Sequence, residues 1–386
     1  MDVAVVGGGI SGLSTAYKLS KHGHDVTLFE ASNRVGGKIG TIYCEGLELD
    51  LGPVTVSETP RLRELIDELG LESVEVSDAS KIRYIYSKGR LQIVGPKMVI
   101  GSLLSLGGKL SMLRALFTGK SDEDESVASY ATRRFGREAY SRLFNPLMNG
   151  IYAGDSELLS AHTVIKNRTP RKIISLKGGI ASLVNGLASK LDGVIKINTA
   201  IEDLDELKQF DEVHLTTPAF VTAQLIRKLD SGLADRLATI RYSSLSQIFV
   251  ETVPGRSKFD GFGFLVPSEE RMSLLGAICV SNILPSKVAD GRRLFVLFCG
   301  GDRPYDFSPT VEDAVNEFKT ILQPAIAKVI HIQSYKNAIP QFYVGYQKVL
   351  EHIDQFEKLN PRLKINGNFV SGVAVGDCLY PFSRIF

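Results

Sequence analysis

Three consecutive glycines, a fourth glycine just beyond them and a carboxylate closing the next apolar run open the chain: MDVAVVGGGISGLSTAYKLSKHGHDVTLFE. The residue types suit the binding of a dinucleotide. Val3 to Val6 reads as a buried parallel strand. Gly7-Gly8-Gly9 supplies a tight turn, and Gly12 lets the following helix pack close to the sheet. Glu30 lies 18 residues after Gly12, at the end of the apolar run Val26 to Phe29, where an acid can accept hydrogen bonds from a ribose. A lone glycine motif is weak. Here it follows a strand, opens a helix and ends on an acid at the right distance, which favours an adenine dinucleotide over an empty glycine turn.

The residues after the acid, EASNRVGGKIGT and then LELDLGP, bear on which dinucleotide. A second glycine pair, Gly36-Gly37, behind Arg34 adds backbone N–H groups and positive charge near the same pyrophosphate. A simple nicotinamide dehydrogenase has no need of it; the alternative is an ordinary loop. The pattern E-x-x-x-R-x-G-G resembles the two-domain flavoprotein oxidases (amine oxidases, carotenoid desaturases, protoporphyrinogen oxidases), matched here by Glu30, Arg34, Gly36 and Gly37. That resemblance implies an extended FAD, with Gly52-Pro53 near the flavin.

The elements that must position these residues read as an α/β (α+β) chain: a Rossmann-like FAD-binding domain, an antiparallel-sheet substrate domain and a helical subdomain. The expected division is FAD domain at 1–80, 170–217 and 346–386, a substrate-domain hairpin at 81–95, the helical subdomain at 96–169 and the substrate domain at 218–345. KIRYIYSKGRLQIV (81–94) alternates like a hairpin turning at Ser87-Lys88-Gly89. A helix is expected over Thr59 to Gly70. The acids from Ser121 to Glu125 are expected in the first turn of a helix, and NPLMNGIYAGD (145–155) as a loop. Four strands are expected between Arg241 and Cys299, then helices over Thr310 to Ala327 and Val344 to Lys358. NFVSGVAVGDC (368–378) is expected to return to the cofactor as a strand.

Composition sets limits. A chain of 386 residues can form two or three domains, and a net charge of +2 lacks the basic excess of a nucleic-acid surface. Cys44, Cys279, Cys299 and Cys378 are dispersed, the six histidines show no ligand spacing, and no metal is expected. With the cofactor strand at the N-terminus, no cleavable signal is expected and a reducing, cytoplasmic location follows. Met98 to Phe117 is apolar, broken by Gly107-Gly108 and dotted with Lys109 and Arg114. It could lie in a membrane interface, giving a peripheral location on the inner face of the cell membrane. Packing on the protein's own core explains it equally well.

Further segments narrow the resemblance. NPLMNGIYAGDSELLS (145–160), SLKGG (175–179), GFGFLVPSEE (261–270) and AIPQFYVGYQ (338–347) resemble, in order, stretches of the protoporphyrinogen and coproporphyrinogen oxidase family. Carried over residue by residue, the match implies FAD contacts at Gly7, Gly9, Ile10, Ser11, Gly12, Glu30, Ala31, Arg34, Gly36, Gly37, Lys38, Gly52, Pro53, Val54, Thr55, Ile201, Val373, Ala374 and Val375. It implies that Arg83 pairs with a substrate propionate and that the Gly150 carbonyl faces the macrocycle, while Leu265, Leu275 and Leu284 wall the pocket or serve the core. A guanidinium fork suits a carboxylate on a buried apolar ligand; a solvated hairpin arginine is the alternative. The implied activity is oxidation of a porphyrinogen by successive hydride transfers to FAD, re-oxidised by dioxygen or another acceptor. It needs orientation and a dry pocket more than acid–base side chains.

Departures from the family pattern are Val54 in place of an arginine, Leu284 in place of a phenylalanine, and Gln92-Ile93-Val94 in place of a leucine-proline. They leave protoporphyrinogen and coproporphyrinogen both open, as a homodimer is left open. Nine residues follow Asp377, where relatives continue into a helix facing the flavin, so weaker FAD retention is expected. The rival readings are an amine or carotenoid oxidase and a lipid-partner-binding protein of the GDP-dissociation-inhibitor type without FAD.

Overall fold

A computed structural model describes residues 1–95, 103–116, 118–119, 124–165, 171–255, 259–288, 292–302 and 308–380. Its first sheet is parallel and five-stranded, in the order Ile195–Lys196, Asp25–Phe29, Asp2–Val6, Glu212–Leu215, Leu363–Ile365. Val3, Ala4 and Val5 are fully buried at its centre, as expected of a strand covered on both faces. The helix Ile10–Lys21 follows the glycine turn directly. Because the five strands come from three distant stretches, no local turn dictates their order.

The second sheet has seven strands: Ile326–Pro340, Tyr242–Val253, Arg293–Gly300, Leu274–Cys279, Gly263–Leu265, Arg83–Ser87 and Arg90–Val94. The last two form the expected hairpin, with Lys88 and Gly89 at φ 54° and 76°, the left-handed pair that a tight hairpin turn requires. The sheet is antiparallel with one exception: Gly263–Leu265 runs parallel to Arg83–Ser87. The hairpin arrives from an early part of the chain, so no short connection fixes its direction.

Other expectations are corrected. The helix expected to reach Ala327 is Val311–Leu322, ended by Gln323 in the left-handed conformation at φ 47°, and Pro324 follows. Ile326–Pro340 is a strand that the sequence reading did not find. Its alternation is blurred because it forms a sheet edge with apolar residues left exposed, Ile326 at 59% and Ile332 at 44%. The described acids of the run at 121–125, Asp124 and Glu125, do not occupy a first turn. The helix is Val127–Phe135, capped by Ser126 Oγ, and Asp124 and Glu125 precede it; Asp124 accepts from Gly345 N at 2.6 Å and Glu125 pairs with Arg133. Residues 121–123 lie outside the described residues. Asn145–Tyr152 is a helix, not a loop, since Pro146 in its first turn is tolerated there. No strand forms at 368–378. A helical turn at Asn368–Ser371 and a 3₁₀ turn at Val375–Cys378 flank Gly372 (φ 115°), and Leu363–Ile365 is the strand that closes the parallel sheet.

Among the described residues no helix is long and apolar enough to cross a membrane. Of the apolar stretch 98–117, residues 98–102 and 117 lie outside them; the rest includes the helix Leu106–Met112. Leu106, Leu110 and Leu113 are 79%, 67% and 53% exposed, spaced to share one helical face.

Candidate functional site

One cavity of about 1570 Å³ runs between the two sheets. A single drug-sized ligand usually occupies roughly 300–1,000 Å³, so there is room for an extended cofactor and a second large molecule.

Its first half is backbone-built. Gly7, Gly9, Ile10, Ser11, Glu30, Ala31, Gly36, Gly37, Lys38, Gly52, Pro53, Val54, Thr55, Ile201, Val373, Ala374 and Val375 all line it. A Cβ on Gly9 would meet no protein atom within 4 Å, leaving space for a ligand, whereas a Cβ on Gly12 would lie 1.8 Å from the Gly7 carbonyl oxygen. Gly12 therefore serves helix packing and does not line the cavity. Glu30 shapes the loops around it: one oxygen accepts from Gly8 N at 2.7 Å, the other from Ser32 N at 2.8 Å and Ser32 Oγ at 2.7 Å. Arg34 differs from expectation. It is not among the lining residues, and its guanidinium donates to the carbonyls of Gly37 at 2.8 Å and Val35 at 3.2 Å, holding the second glycine loop in shape. Val373 and Ala374 reach the cavity from a loop and Val375 from the start of a 3₁₀ turn, not from a strand.

Two features suit an anionic ligand. The 12-residue helix Ile10–Lys21 has no side-chain cap and no acid in its first turn, so its free N–H groups and dipole face the cavity. Lys38 is mostly buried, with Nζ 5.4 Å from the Tyr242 ring centroid, and desolvation pushes its ammonium down to about 8. A mostly buried cation and an uncapped helix N-terminus lining one cavity fit the pyrophosphate of FAD.

The second half is walled by side chains. Leu265, Leu275, Ile278 and Phe298 come from the seven-stranded sheet, Phe262 from the turn just before its strand Gly263–Leu265, and Leu143, Phe144 and Leu147 from the helical region. Leu284 does not line the cavity; it is fully buried in an apolar cluster that packs behind the lining residues Phe262, Ile278 and Phe298. Arg83 lines the cavity from the first residue of its strand, exposed, with its guanidinium 5.3 Å from the Phe262 ring centroid. Gly150 lines it from inside the helix Asn145–Tyr152, where an added Cβ would lie 2.6 Å from Leu265 Cδ2. Asn149, Gln247, Phe262 and Tyr335 escaped the sequence reading. Only Gln247, a polar residue in the apolar run LSQIFV, carried a local signal.

This combination of parallel glycine-turn sheet, uncapped helix and apolar chamber defines an FAD-dependent oxidoreductase. The chain belongs to the family of flavin containing amine oxidoreductases, whose sequence model matches residues 10–377. It is 26% identical to the mitochondrial protoporphyrinogen oxidase of Nicotiana tabacum, covering 98% of this chain and 92% of that one. It is 28% identical to the protoporphyrinogen oxidase of Schizosaccharomyces pombe and 25% identical to the coproporphyrinogen III oxidase of Staphylococcus aureus, each covering 98% of this chain and 96% of the other. Among solved structures the fold superposes on a protein of Exiguobacterium sp. 255-15 provisionally named a protoporphyrinogen oxidase (TM-score 0.82, 21% identity, 98% and 96% covered). It also superposes on a putrescine oxidase variant (TM-score 0.74, 16% identity, 98% and 96% covered).

Proposed function

We propose that the chain oxidises protoporphyrinogen IX to protoporphyrin IX in haem biosynthesis. The observation carrying this reading is the continuity of one cavity from the glycine track into an apolar chamber with a guanidinium at its edge. FAD held along the track would supply the hydride acceptor, with dioxygen or another acceptor taking up the electrons. Gly7, Gly9, Ile10, Ser11 and Lys38 would hold the pyrophosphate, while Gly52 to Thr55 and Val373 to Val375 would flank the flavin. Residues 1–80, 170–217 and 346–386 thus act as the cofactor half, and 81–95 with 218–345 as the substrate half.

The side chains of the chamber orient and exclude water. A reduced tetrapyrrole loses a hydride from a bridging carbon and a proton from a pyrrole nitrogen in each of three rounds. The net loss is six electrons and six hydrogens, and the chamber wall needs no strong base for it. Arg83, braced by Phe262, takes a propionate as a two-point hydrogen-bonded pair. Arg83 and Lys38 are the only Lys or Arg among the described lining residues, and Lys38 lies on the cofactor side. That supports a substrate with few carboxylates, protoporphyrinogen over its more carboxylated precursor.

Anaerobic mixing of the flavin-loaded protein with each porphyrinogen tests the reading. Bleaching of the flavin by protoporphyrinogen is expected. Bleaching by coproporphyrinogen alone moves the substrate one step back, and bleaching by a polyamine alone transfers the chain to the amine oxidases. The exposed face of Leu106, Leu110 and Leu113 supports peripheral contact with a membrane, apolar side down. Co-sedimentation with anionic vesicles that is lost in Leu110→Glu is the expected result.

A further inference from the structure

A glutamine 1% exposed in the middle of an apolar strand needs a partner for each end of its amide. Gln247 finds both on one residue of the other half of the molecule: Gly52 N donates to Gln247 Oε1 at 2.7 Å, and Gln247 Nε2 donates to the Gly52 carbonyl at 2.6 Å. This reciprocal pair is the pattern that two residues of neighbouring strands would make, here with a side chain replacing one backbone. Its surroundings are built for it. Gln247 lies opposite Phe298 and Gln333 in the seven-stranded sheet. On the adjoining strand Tyr335, opposite Leu245, donates to the Lys38 carbonyl at 3.2 Å. Gly52 (φ 85°) sits so close to that carbonyl that a Cβ would lie 2.4 Å from its oxygen. Two residues upstream, Asp50 is held at 2.6 Å by Lys287, from the 3₁₀ turn Pro285–Lys287 that lies between two strands of the sheet in the chain. Gly52, Gln247 and Tyr335 all line the cavity, at the junction of its two halves.

We infer that Gln247 is a positioning residue that fixes the Gly52-Pro53 corner, and with it the face of the bound flavin, at a set height above the chamber. The sheet that walls the substrate thereby also sets where the cofactor lies, through one side chain read as backbone. Truncating the amide leaves the Gly52 N–H and carbonyl without their protein partners, and the corner is free to move. Replacing it by a carboxylate keeps the acceptor and sets an anion against the Gly52 carbonyl. Burial and that carbonyl both favour the protonated acid, whose O–H can restore the missing donor.

The test compares flavin-loaded wild type, Gln247→Leu and Gln247→Glu by melting temperature, FAD affinity, visible circular dichroism of the flavin, and kcat and KM per bound flavin across pH. Gln247→Leu should show an altered flavin dichroism and a kcat about tenfold lower or worse, with KM nearly unchanged, as displaced reacting partners require. In Gln247→Glu the same defects should grow as pH rises and fade as it falls, relative to wild type. Should Gln247→Leu not fold, the isosteric glutamate variant decides alone. Wild-type dichroism and kcat in the leucine variant, or a glutamate defect independent of pH, overturns the inference. The kcat arm rests on the porphyrinogen reading. If neither porphyrinogen reduces the wild-type flavin, that reading fails while the dichroism and affinity arms still decide on Gln247.

Discussion

The cofactor track and the chamber beside it are lined by different parts of the chain's chemistry. The track is made of backbone: glycines, helix N–H groups and a loop held by Arg34 and Glu30 acting on carbonyls and amides. The chamber is made of side chains standing on a sheet, and its polar groups are few. A backbone surface tolerates no added atom where it is packed on other backbone, as at Gly12 and Gly52, because its position is fixed by the fold it helps to form. A side-chain surface can shift a rotamer and remain a surface. The track should therefore fail abruptly on substitution and the chamber by degrees.

Gly12→Val is the severest test. Its Cβ would meet the Gly7 carbonyl oxygen, which cannot move without opening the turn. The variant should purify without visible flavin absorption, with FAD affinity weakened about a hundredfold or more. A yellow Gly12→Val protein would show that the track yields after all. Lys38 gives the next effect through pH. In the ligand-free fold its ammonium is pushed down to about 8 by desolvation, against 10.5 ordinarily. A bound pyrophosphate favours the charged form. FAD affinity should then fall by up to about tenfold per pH unit above 8. Cofactor-free stability should run the other way, rising between about 8 and 10.5, because there the unfolded chain carries the proton that folding releases. Fluorescence titration with FAD checks the first and thermal melts the second; Lys38→Met should flatten both.

The same contrast explains what the sequence disclosed. A glycine turn, its helix and the acid at Glu30 form within one short stretch, so spacing alone carried them, as Lys88-Gly89 carried the hairpin. The packing role of Gly12 was legible, though it was also expected to contact the cofactor; Arg34 was recognised as part of the site, but not that it acts by shaping the backbone around it. The chamber is non-local. Phe262, Phe298 and Tyr335 face one space only because strands far apart in the chain lie side by side, and no period along the sequence encodes that. The edge strand Ile326–Pro340 was hidden by exposure on both sides. The helix Asn145–Tyr152 was hidden by Pro146 and Gly150, residues that usually punctuate loops but are tolerated here because tertiary packing overrides propensity. Gln247 was legible as an oddity, while its partner Gly52 became visible only in three dimensions.

Smaller effects belong to the chamber. Arg83→Ala removes the guanidinium at its edge and should raise KM for the porphyrinogen about tenfold with kcat nearly kept, since a substrate carboxylate far from the reacting carbon contributes equally to ground and transition states. Arg83→Lys should recover only part of this, a point charge replacing a fork. An unchanged KM in Arg83→Ala would return the residue to the solvated hairpin.

Gly150→Ala should have the least effect and is the counterpart of Gly12→Val. The new Cβ also collides, 2.6 Å from Leu265 Cδ2, but with the free end of a flexible side chain instead of a backbone carbonyl. Leu265 can turn away, narrowing the chamber by about the volume of a methyl group. Gly150 also stands inside a helix, where exchanging glycine for alanine contributes roughly 0.5–1 kcal/mol of stability. The variant should hold its FAD and its melting temperature, or gain slightly, while KM rises about two- to threefold, the smaller effect expected where a packed wall can repack. A loss of flavin from Gly150→Ala as complete as that from Gly12→Val would mean that the two halves of the cavity are equally rigid, and the distinction between backbone-built and side-chain-built surfaces would not hold for this fold.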